Sequence, residues 1–320
     1  MASEFDLITR YFMRAVPPHL TGGGDDCALF SVSAGLQVAT STDLLLEGRH
    51  FFSDVDPRKL GHKALAVNLS DLAAMGAQPL GCLLGLGLPA MDAPWVANFA
   101  DGFYDLAAEY ACPLLGGDTT RSRHDITISV TVFGAVDPAR ALRRSAAVVG
   151  DDIWVSGELG AADIACRMLA GELATDARIL SQTRDALELP TPRLALGHAL
   201  AQVAHAAIDV SDGLLQDLSH ILHASGVAAR IDEAALPIHP ALVSLPEDRI
   251  RQAVLAGGDL YELCFTAPQA QRAAIVDLGA RLGVRVSRIG SVTGGSGLEV
   301  RDRRGVPLPC MPRGFDHFRD

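Results

Sequence analysis

The stretch Asn68–Ala77, NLSDLAAMGA, decides how the rest of the chain is read. It forms the second half of a predicted helix that begins near Asp56 and Pro57. An Asp side chain caps the free amides of a first turn, and Pro suits that turn because it lacks an amide that would go unpaired. Gly76 followed by Pro79 then supplies the stop. Ala64, Leu65, Ala66, Val67, Leu69, Leu72, Ala73, Ala74 and Met75 leave almost no polar side, so the helix is expected to be buried. Asp71 lies in the middle of it. A carboxylate in apolar surroundings is costly unless a cation or hydrogen-bond donors compensate it, and Asn68 sits one turn away on the same face. Such an acid is either a structural group bonded to amides or an Arg, or the anchor of a functional site.

Bulk properties narrow the choice. At 320 residues the chain is long for one small core and suits two domains, and 49% apolar with 20% charged residues is the balance of an ordinary globular protein. A net charge of -11 counts against non-specific nucleic-acid binding and suits a site that gathers divalent cations. The opening MASEFDLITRYF is interrupted by charge, unlike a secretory signal, and the longest apolar run, Leu80–Met91, is broken by glycines and a proline and too short to cross a bilayer. The expectation is a cytoplasmic protein that binds neither membrane nor nucleic acid. Cys27, Cys82, Cys112, Cys166, Cys264 and Cys310 show no CxxC spacing and read as reduced core thiols.

Further acids recur beside glycines and at predicted strand ends. In TGGGDD, Asp25 and Asp26 follow three glycines at the mouth of a strand, where they either cap a turn or meet a hard cation. A strand over Leu36–Ser41 is expected to end in STD, which groups the oxygens of Ser41, Thr42 and Asp43; His50 follows between Arg49 and two phenylalanines. Tyr104 falls on a predicted helix, Ala93–Tyr110, at a position that reads as core. A strand over Cys112–Leu115 is expected to end in GGDTT, where Gly116 and Gly117 bare their amides and Asp118 and Thr119 add oxygens.

Residues 138–149 read as a linker between a first domain at 1–137 and a second at 150–320. The linker carries Arg140, Arg143 and Arg144, and a guanidinium there could clamp a phosphate. Beyond it strands and helices alternate, as in an α/β or α+β layered domain. AIDVSDGLLQDL places Asp209, Ser211 and Asp212 where a strand hands over to a helix; AGGDLYEL places Asp259 after two glycines; and the terminal GFDHF offers Phe315 as a docking contact or as a stacking face.

Acids and hydroxyls without His or Cys partners select Mg²⁺, Ca²⁺ or Mn²⁺ rather than zinc. Several such ions, bare amides and an Arg suit a polyphosphate nucleotide, and phosphoryl transfer asks chiefly for positioning and charge neutralisation. No P-loop and no HRD or DFG set occurs, so the nucleotide fold is a different one.

Taken in order, GDDCA, STDLLLEGRHF, ALAVNLSDLAAMGA, GGDTTR, RALRRS, AIDVSDGL, GGDLYEL and GFDHF resemble the thiamine-monophosphate kinase family of the aminoimidazole-ribonucleotide-synthetase-like ATP-binding superfamily, over nearly the whole chain. The resemblance implies a two-domain homodimer: an N-terminal domain with helices on a mixed sheet at the dimer interface, and a C-terminal α/β layered domain that completes the active site. It implies transfer of the γ-phosphate of ATP to thiamine monophosphate with several Mg²⁺ ions. By motif matching, Asp26, Ser41, Thr42, Asp43, Asp71, Asp118, Asp209 and Asp212 would hold Mg²⁺. Tyr104, Gly117, Asp118, Arg144 and Ser211 would contact ATP, and His50, Asp259 and Phe315 the thiamine phosphate. Asp71, Asp212 and Arg144 would carry the chemistry.

Two positions depart from the family pattern. Asp259-Leu260 stands where Glu-Asp is usual, and Phe315 where Trp or Tyr is frequent. Alternative readings are another enzyme of the superfamily, such as a selenophosphate synthetase, and a non-catalytic nucleotide or thiamine-phosphate binder.

Overall fold

A computed structural model describes residues 6, 8–20, 27–309, 314 and 315. The chain divides into two compact units, Met1–Leu72 with Ala77–Ala139, and Ala73–Gly76 with Arg140–Asp320.

In the first unit β1 (Gln37–Leu46), β2 (Gln78–Leu88), β3 (Leu114–Arg121) and β4 (Thr127–Val136) form a four-stranded sheet in the order β1-β4-β2-β3. β4 runs antiparallel to both neighbours, whereas β2 and β3 are parallel. A parallel pair cannot be closed by a tight turn, and α2 (Ala93–Glu109) provides the crossover. Along β4, buried Ile128, Val130, Val132 and Val136 alternate with half-buried residues, so one sheet face is the core face.

The helix α1 (Pro57–Ala74) is buried as its composition predicts: Leu60, Leu65 and Leu69 have no exposure, and even Lys63, Asn68 and Ser70 are enclosed. α1 and α2 meet backbone to backbone. A Cβ on Gly61 would lie 2.0 Å from the Phe99 carbonyl oxygen, and one on Gly102 would lie 1.8 Å from that of Arg58. Two glycines therefore set the spacing of this helix pair, with Phe99 and Phe103 filling the interior beside them.

Two strands depart from the sequence reading. The STD of β1 lies inside a ten-residue strand, paired in unbroken register with β4, and GGDTT lies inside β3 instead of following it. Asp is a poor strand former alone, yet Thr42 beside it, the apolar LLL that follows and the partner strand carry it through.

The second unit holds a six-stranded sheet in the order β10-β7-β9-β5-β8-β6. Its strands are β5 (Asp152–Ser156), β6 (Ala206–Asp209), β7 (Ala228–Asp232), β8 (Leu263–Ala267), β9 (Val286–Thr293) and β10 (Gly297–Arg301). All ladders are antiparallel except β10 with β7. The helices are α3 (Ala161–Leu169), α4 (Ala177–Glu188), α5 (Leu194–Leu200), α6 (Leu214–Ser225), α7 (Glu247–Ala256) and α8 (Arg272–Leu282).

Neither α4 nor β10 is anticipated from sequence. α4 is capped by Asp176, whose side chain accepts from the amides of Arg178 and Ile179, and it buries only Ile179, Thr183, Leu187 and Glu188. Within the segment read as a linker, Leu142 is buried and its amide donates to the Met75 carbonyl at 3.2 Å. Of the thiols, Cys82, Cys112 and Cys264 are core groups, whereas Cys27 is exposed, unlike the core position its neighbours suggest; Cys310 lies outside the described residues.

Candidate active site

In the first unit, α1 lies against β1 so that Asp71 meets the strand residues Ser41 and Asp43. The Ser41 hydroxyl donates to Asp71 Oδ2 at 2.5 Å, and the Asp43 amide donates to Asn68 Oδ1 at 2.9 Å. The Asn68 side-chain nitrogen in turn donates to the Ala64 carbonyl at 3.1 Å, which fixes the amide's orientation. One turn of α1 thus locks the strand by its backbone and presents a carboxylate beside another. Burial, and after it the charge of Asp71, push the Asp43 carboxyl up from 3.8 to about 6. Two acids that repel one another when ionised, with a hydroxyl beside them, form a set of hard oxygen donors whose repulsion a divalent cation relieves.

The other residues marked in the sequence fall as follows. Thr42 points to the opposite sheet face, where its hydroxyl donates to the Val130 carbonyl at 3.0 Å and accepts from Thr131 at 2.9 Å. Asp118 is exposed on the edge strand β3, in the row Leu44–Ser129–Gly85–Asp118, next to the row that holds Asp43. Three strand spacings separate the two acids, on the order of 14 Å. Gly117 is required by the sheet itself, since a Cβ there would lie 1.9 Å from the Leu84 carbonyl oxygen. Among the described residues no group of three or more His, Cys, Asp or Glu side chains closes around one point. Asp25 and Asp26 lie outside the described residues.

His50 follows β1 in a turn where its Nδ1 accepts from the Leu46 amide at 3.0 Å, and Lys63 Nζ donates to its carbonyl at 3.2 Å. An accepting Nδ1 leaves the proton on Nε2, so this ring presents a donor. Tyr104 is packed as its helical position predicts. Its hydroxyl donates to the Phe12 carbonyl at 2.7 Å, and the Arg14 guanidinium lies 3.7 Å from its ring centroid. Burial pushes the phenol up to about 12, opposed by the charge of Arg14.

In the second unit the turn Val210–Gly213 is the node. Asp209 closes β6 and is buried, and Gly213 leads into α6. Asp217, in the first turn of α6, accepts from the amides of Asp212 and Gly213 through one oxygen, each at 3.0 Å, and so holds the turn from below. Burial, and then the charge of Asp212, push the Asp217 carboxyl up to about 7, against the pull of its amide donors.

Two further segments hang on this turn by backbone bonds. The Asp259 amide donates to the Ser211 carbonyl at 2.7 Å and the Tyr261 amide to Val210 at 2.9 Å. The Phe315 amide donates to Asp212 at 3.0 Å, while Gln216 Nε2 donates to the Phe315 carbonyl at 2.7 Å. Ser211, Asp212, Asp259 and Phe315, scattered in sequence, are thereby brought together. Arg144 is exposed in a short 3-10 turn whose carbonyl accepts from Ser225 Oγ at 2.8 Å.

Asp217, Tyr261, Glu262 and Arg193 were not singled out by the sequence reading. Glu262 is buried and accepts from the Ser156 hydroxyl, and two Arg193 nitrogens donate to it at 2.8 Å and 2.5 Å. Asp217 carried a signal, an acid five residues after Asp212 at a helix start. Arg193 and Glu262 are too far apart in sequence to carry one.

The Asp43–Asp71 pair gives a stability test. The folded carboxyl of Asp43 lies above its ordinary value, so its contribution to stability is full below about pH 4 and is lost as pH rises through about 6. In divalent-free buffer, Asp43→Asn is expected to become more stable than the wild type above that range, by on the order of 2 kcal/mol. Melting curves of the two proteins that stay parallel from pH 4 to about 8 would show that Asp43 carries no such burden.

Comparison with known proteins gives a consistent picture. Residues 24–136 match the AIR synthase related protein, N-terminal domain, and residues 148–303 the corresponding C-terminal domain. The thiamine-monophosphate kinase of Salmonella typhimurium (strain LT2) is 44% identical over 325 residues, spanning 98% of each chain. The crystal structure of thiamine-monophosphate kinase from Stenotrophomonas maltophilia K279a superposes with a TM-score of 0.84 at 45% identity, covering 91% of this chain and 93% of that one. A structure described as AaThiL complexed with AMPPCP and TMP superposes with a TM-score of 0.78 at 29% identity, covering 90% and 89%.

Proposed function

The chain belongs to the thiamine-monophosphate kinase family of AIR synthase related proteins and is a phosphotransferase, and from that premise we propose how its residues act on MgATP and thiamine monophosphate. A terminal oxygen of the thiamine monophosphate phosphate attacks the γ-phosphorus of ATP in line. The bond from that phosphorus to the β,γ-bridging oxygen breaks, and ADP leaves with the electron pair. The nucleophile is already ionised at neutral pH, so no side chain has to remove a proton. Mg²⁺, when bound, supplies the positive charge that lets two phosphate groups approach.

The observation that carries this reading is the meeting of Ser41, Asp43 and Asp71, with Asp43 held above its ordinary range by burial and by its neighbour. These three would hold Mg²⁺. Asp26, Thr42, Asp118, Asp209 and Asp212 join them in the proposal on motif matching alone. Arg144 would offset charge on the transferred group, Tyr104, Gly117, Asp118 and Ser211 would contact ATP, and His50, Asp259 and Phe315 would contact thiamine monophosphate. Of these, His50 contributes an Nε2–H donor and Phe315 an exposed ring.

We propose a cytoplasmic location, which the buried free thiols Cys82, Cys112 and Cys264 suit. We also propose a homodimer formed through the face of the first sheet that α1 leaves uncovered. There Val38 and Leu44 are 48% and 52% exposed, an apolar pair on a strand that otherwise offers threonines.

The test is to incubate the protein with MgATP and thiamine monophosphate and to resolve the products. Thiamine diphosphate should form in step with ADP, and excess EDTA should stop both. ADP release that ignores thiamine monophosphate would overturn the acceptor, and sedimentation as a fully active monomer would remove the dimer.

A further inference from the structure

The loop Gly257–Tyr261 is built in an unusual way. Asp259 and Tyr261 both have left-handed backbones, with φ of 59° and 53°, a conformation that side chains other than glycine seldom adopt. Within the described residues only Ala111 shares this among non-glycines. The loop is kept there by its neighbours. The amides of Asp259 and Tyr261 donate to Ser211 and Val210, and the Val210 amide donates back to the Glu262 carbonyl at 2.8 Å. A Cβ on Gly258 would lie 2.4 Å from the Ser211 carbonyl oxygen, so the loop lies flat on the turn. Behind it, Glu262 is anchored by Ser156 and by Nε and Nη2 of Arg193.

The consequence is local. Left-handed backbones at 259 and 261 turn both side chains to where the Tyr261 hydroxyl donates to Asp259 Oδ1 at 3.1 Å. Tyr261 is 9% exposed, so its ring is held by packing and its hydroxyl has little freedom, whereas Asp259 is half-buried. The residue between them is Leu260, buried and with no polar side-chain atom to offer the carboxylate.

We propose that Tyr261 is a positioning residue for the acceptor, its hydroxyl holding the Asp259 carboxylate in the orientation in which it meets thiamine monophosphate. This rests on the reading of Asp259 as an acceptor contact, and the experiment separates the two. Tyr261 does not touch the reacting atoms. It restricts the rotamers of a short carboxylate whose neighbour Leu260 has no polar side-chain atom, and the effect belongs to substrate binding, not to the chemical step.

The experiment is a double-mutant cycle on steady-state kinetics with Tyr261→Phe, Asp259→Ala and the pair. Tyr261→Phe keeps the ring and removes only the hydroxyl, so the loop is retained; near-ultraviolet circular dichroism and the melting temperature check that it is. The expected result is a KM for thiamine monophosphate raised about tenfold or more, in line with the loss of one hydrogen bond to a charged group, with KM for ATP and kcat within about twofold. Asp259→Ala should raise the same KM further, and adding Tyr261→Phe to it should change nothing more. If Asp259→Ala raises KM for thiamine monophosphate while Tyr261→Phe leaves it unchanged, the positioning role of Tyr261 is overturned and the Asp259 contact stands. If Asp259→Ala itself leaves that KM unchanged, both are overturned. Equal effects of Tyr261→Phe with and without Asp259 would also overturn the inference, because the hydroxyl would then act by another route.

Discussion

Asp71→Asn is expected to slow thiamine diphosphate formation by about a thousandfold or more while the protein folds and melts no lower than the wild type. The two expectations have separate causes. Folding depends on the apolar surround of α1, where Leu69 and Leu72 on either side of the acid are fully enclosed, and the substitution leaves these untouched. Asn has nearly the same shape and keeps an oxygen that can accept from the Ser41 hydroxyl, now 2.5 Å from Asp71 Oδ2. Removing a negative charge beside Asp43 also relieves part of what pushes that carboxyl up to about 6. What is lost is an anionic oxygen where the first unit brings Asp43, Asp71 and the Ser41 hydroxyl together. Coupled ADP release with saturating thiamine monophosphate, beside a melting curve, reads both quantities. A variant that melts normally and turns over at the wild-type rate would exclude Asp71 from the mechanism.

The second large effect is structural. Gly102→Val should cost the first unit on the order of 5 kcal/mol or more, enough that the chain is recovered aggregated or with its helices loosened. Even a single Cβ at that position would lie 1.8 Å from the Arg58 carbonyl oxygen, and the atom it meets is backbone, which cannot swing aside. The closeness of α1 and α2 at this crossing, repeated at Gly61, lets Leu60 and Leu65 of α1 bury fully. It also fixes α1 against the sheet, where Asn68 holds β1 by the Asp43 amide. Gly102→Ala, which adds the Cβ alone, should be destabilised less than the Val variant but still by several kcal/mol. Chemical denaturation of the two variants beside the wild type measures the ranking, and a Gly102→Val protein as stable as the wild type would mean that the helices are not in contact there.

The parts of the molecule that were legible in the sequence are those where one signal dominates. α1 was readable because an apolar run is bounded by a Pro at one end and a Gly at the other, and α2 because Asp92 and Pro94 mark its start. α4 was not, since it shows the core only four residues in twelve, and one of those is Thr183 and another Glu188. The STD segment lies within a strand although its local polarity speaks for a strand end, because its state is set by β4, more than eighty residues on, with Asp43 opposite Val130.

The candidate site divides in the same way. The acids that mark it stand out as polar groups in apolar or glycine-rich stretches. What holds them, such as Asp217 under the Asp212 turn or Arg193 behind Glu262, depends on hydrogen bonds between distant segments, about which local pattern is silent.

The most direct test of the central claim is diffraction from crystals grown with Mn²⁺ and a non-hydrolysable ATP analogue, collected where manganese scatters anomalously. The expected result is an anomalous peak within about 2.2 Å of carboxylate oxygens of both Asp43 and Asp71, next to the phosphate chain. Peaks on the nucleotide with none against that pair would contradict the claim that these acids grip the metal.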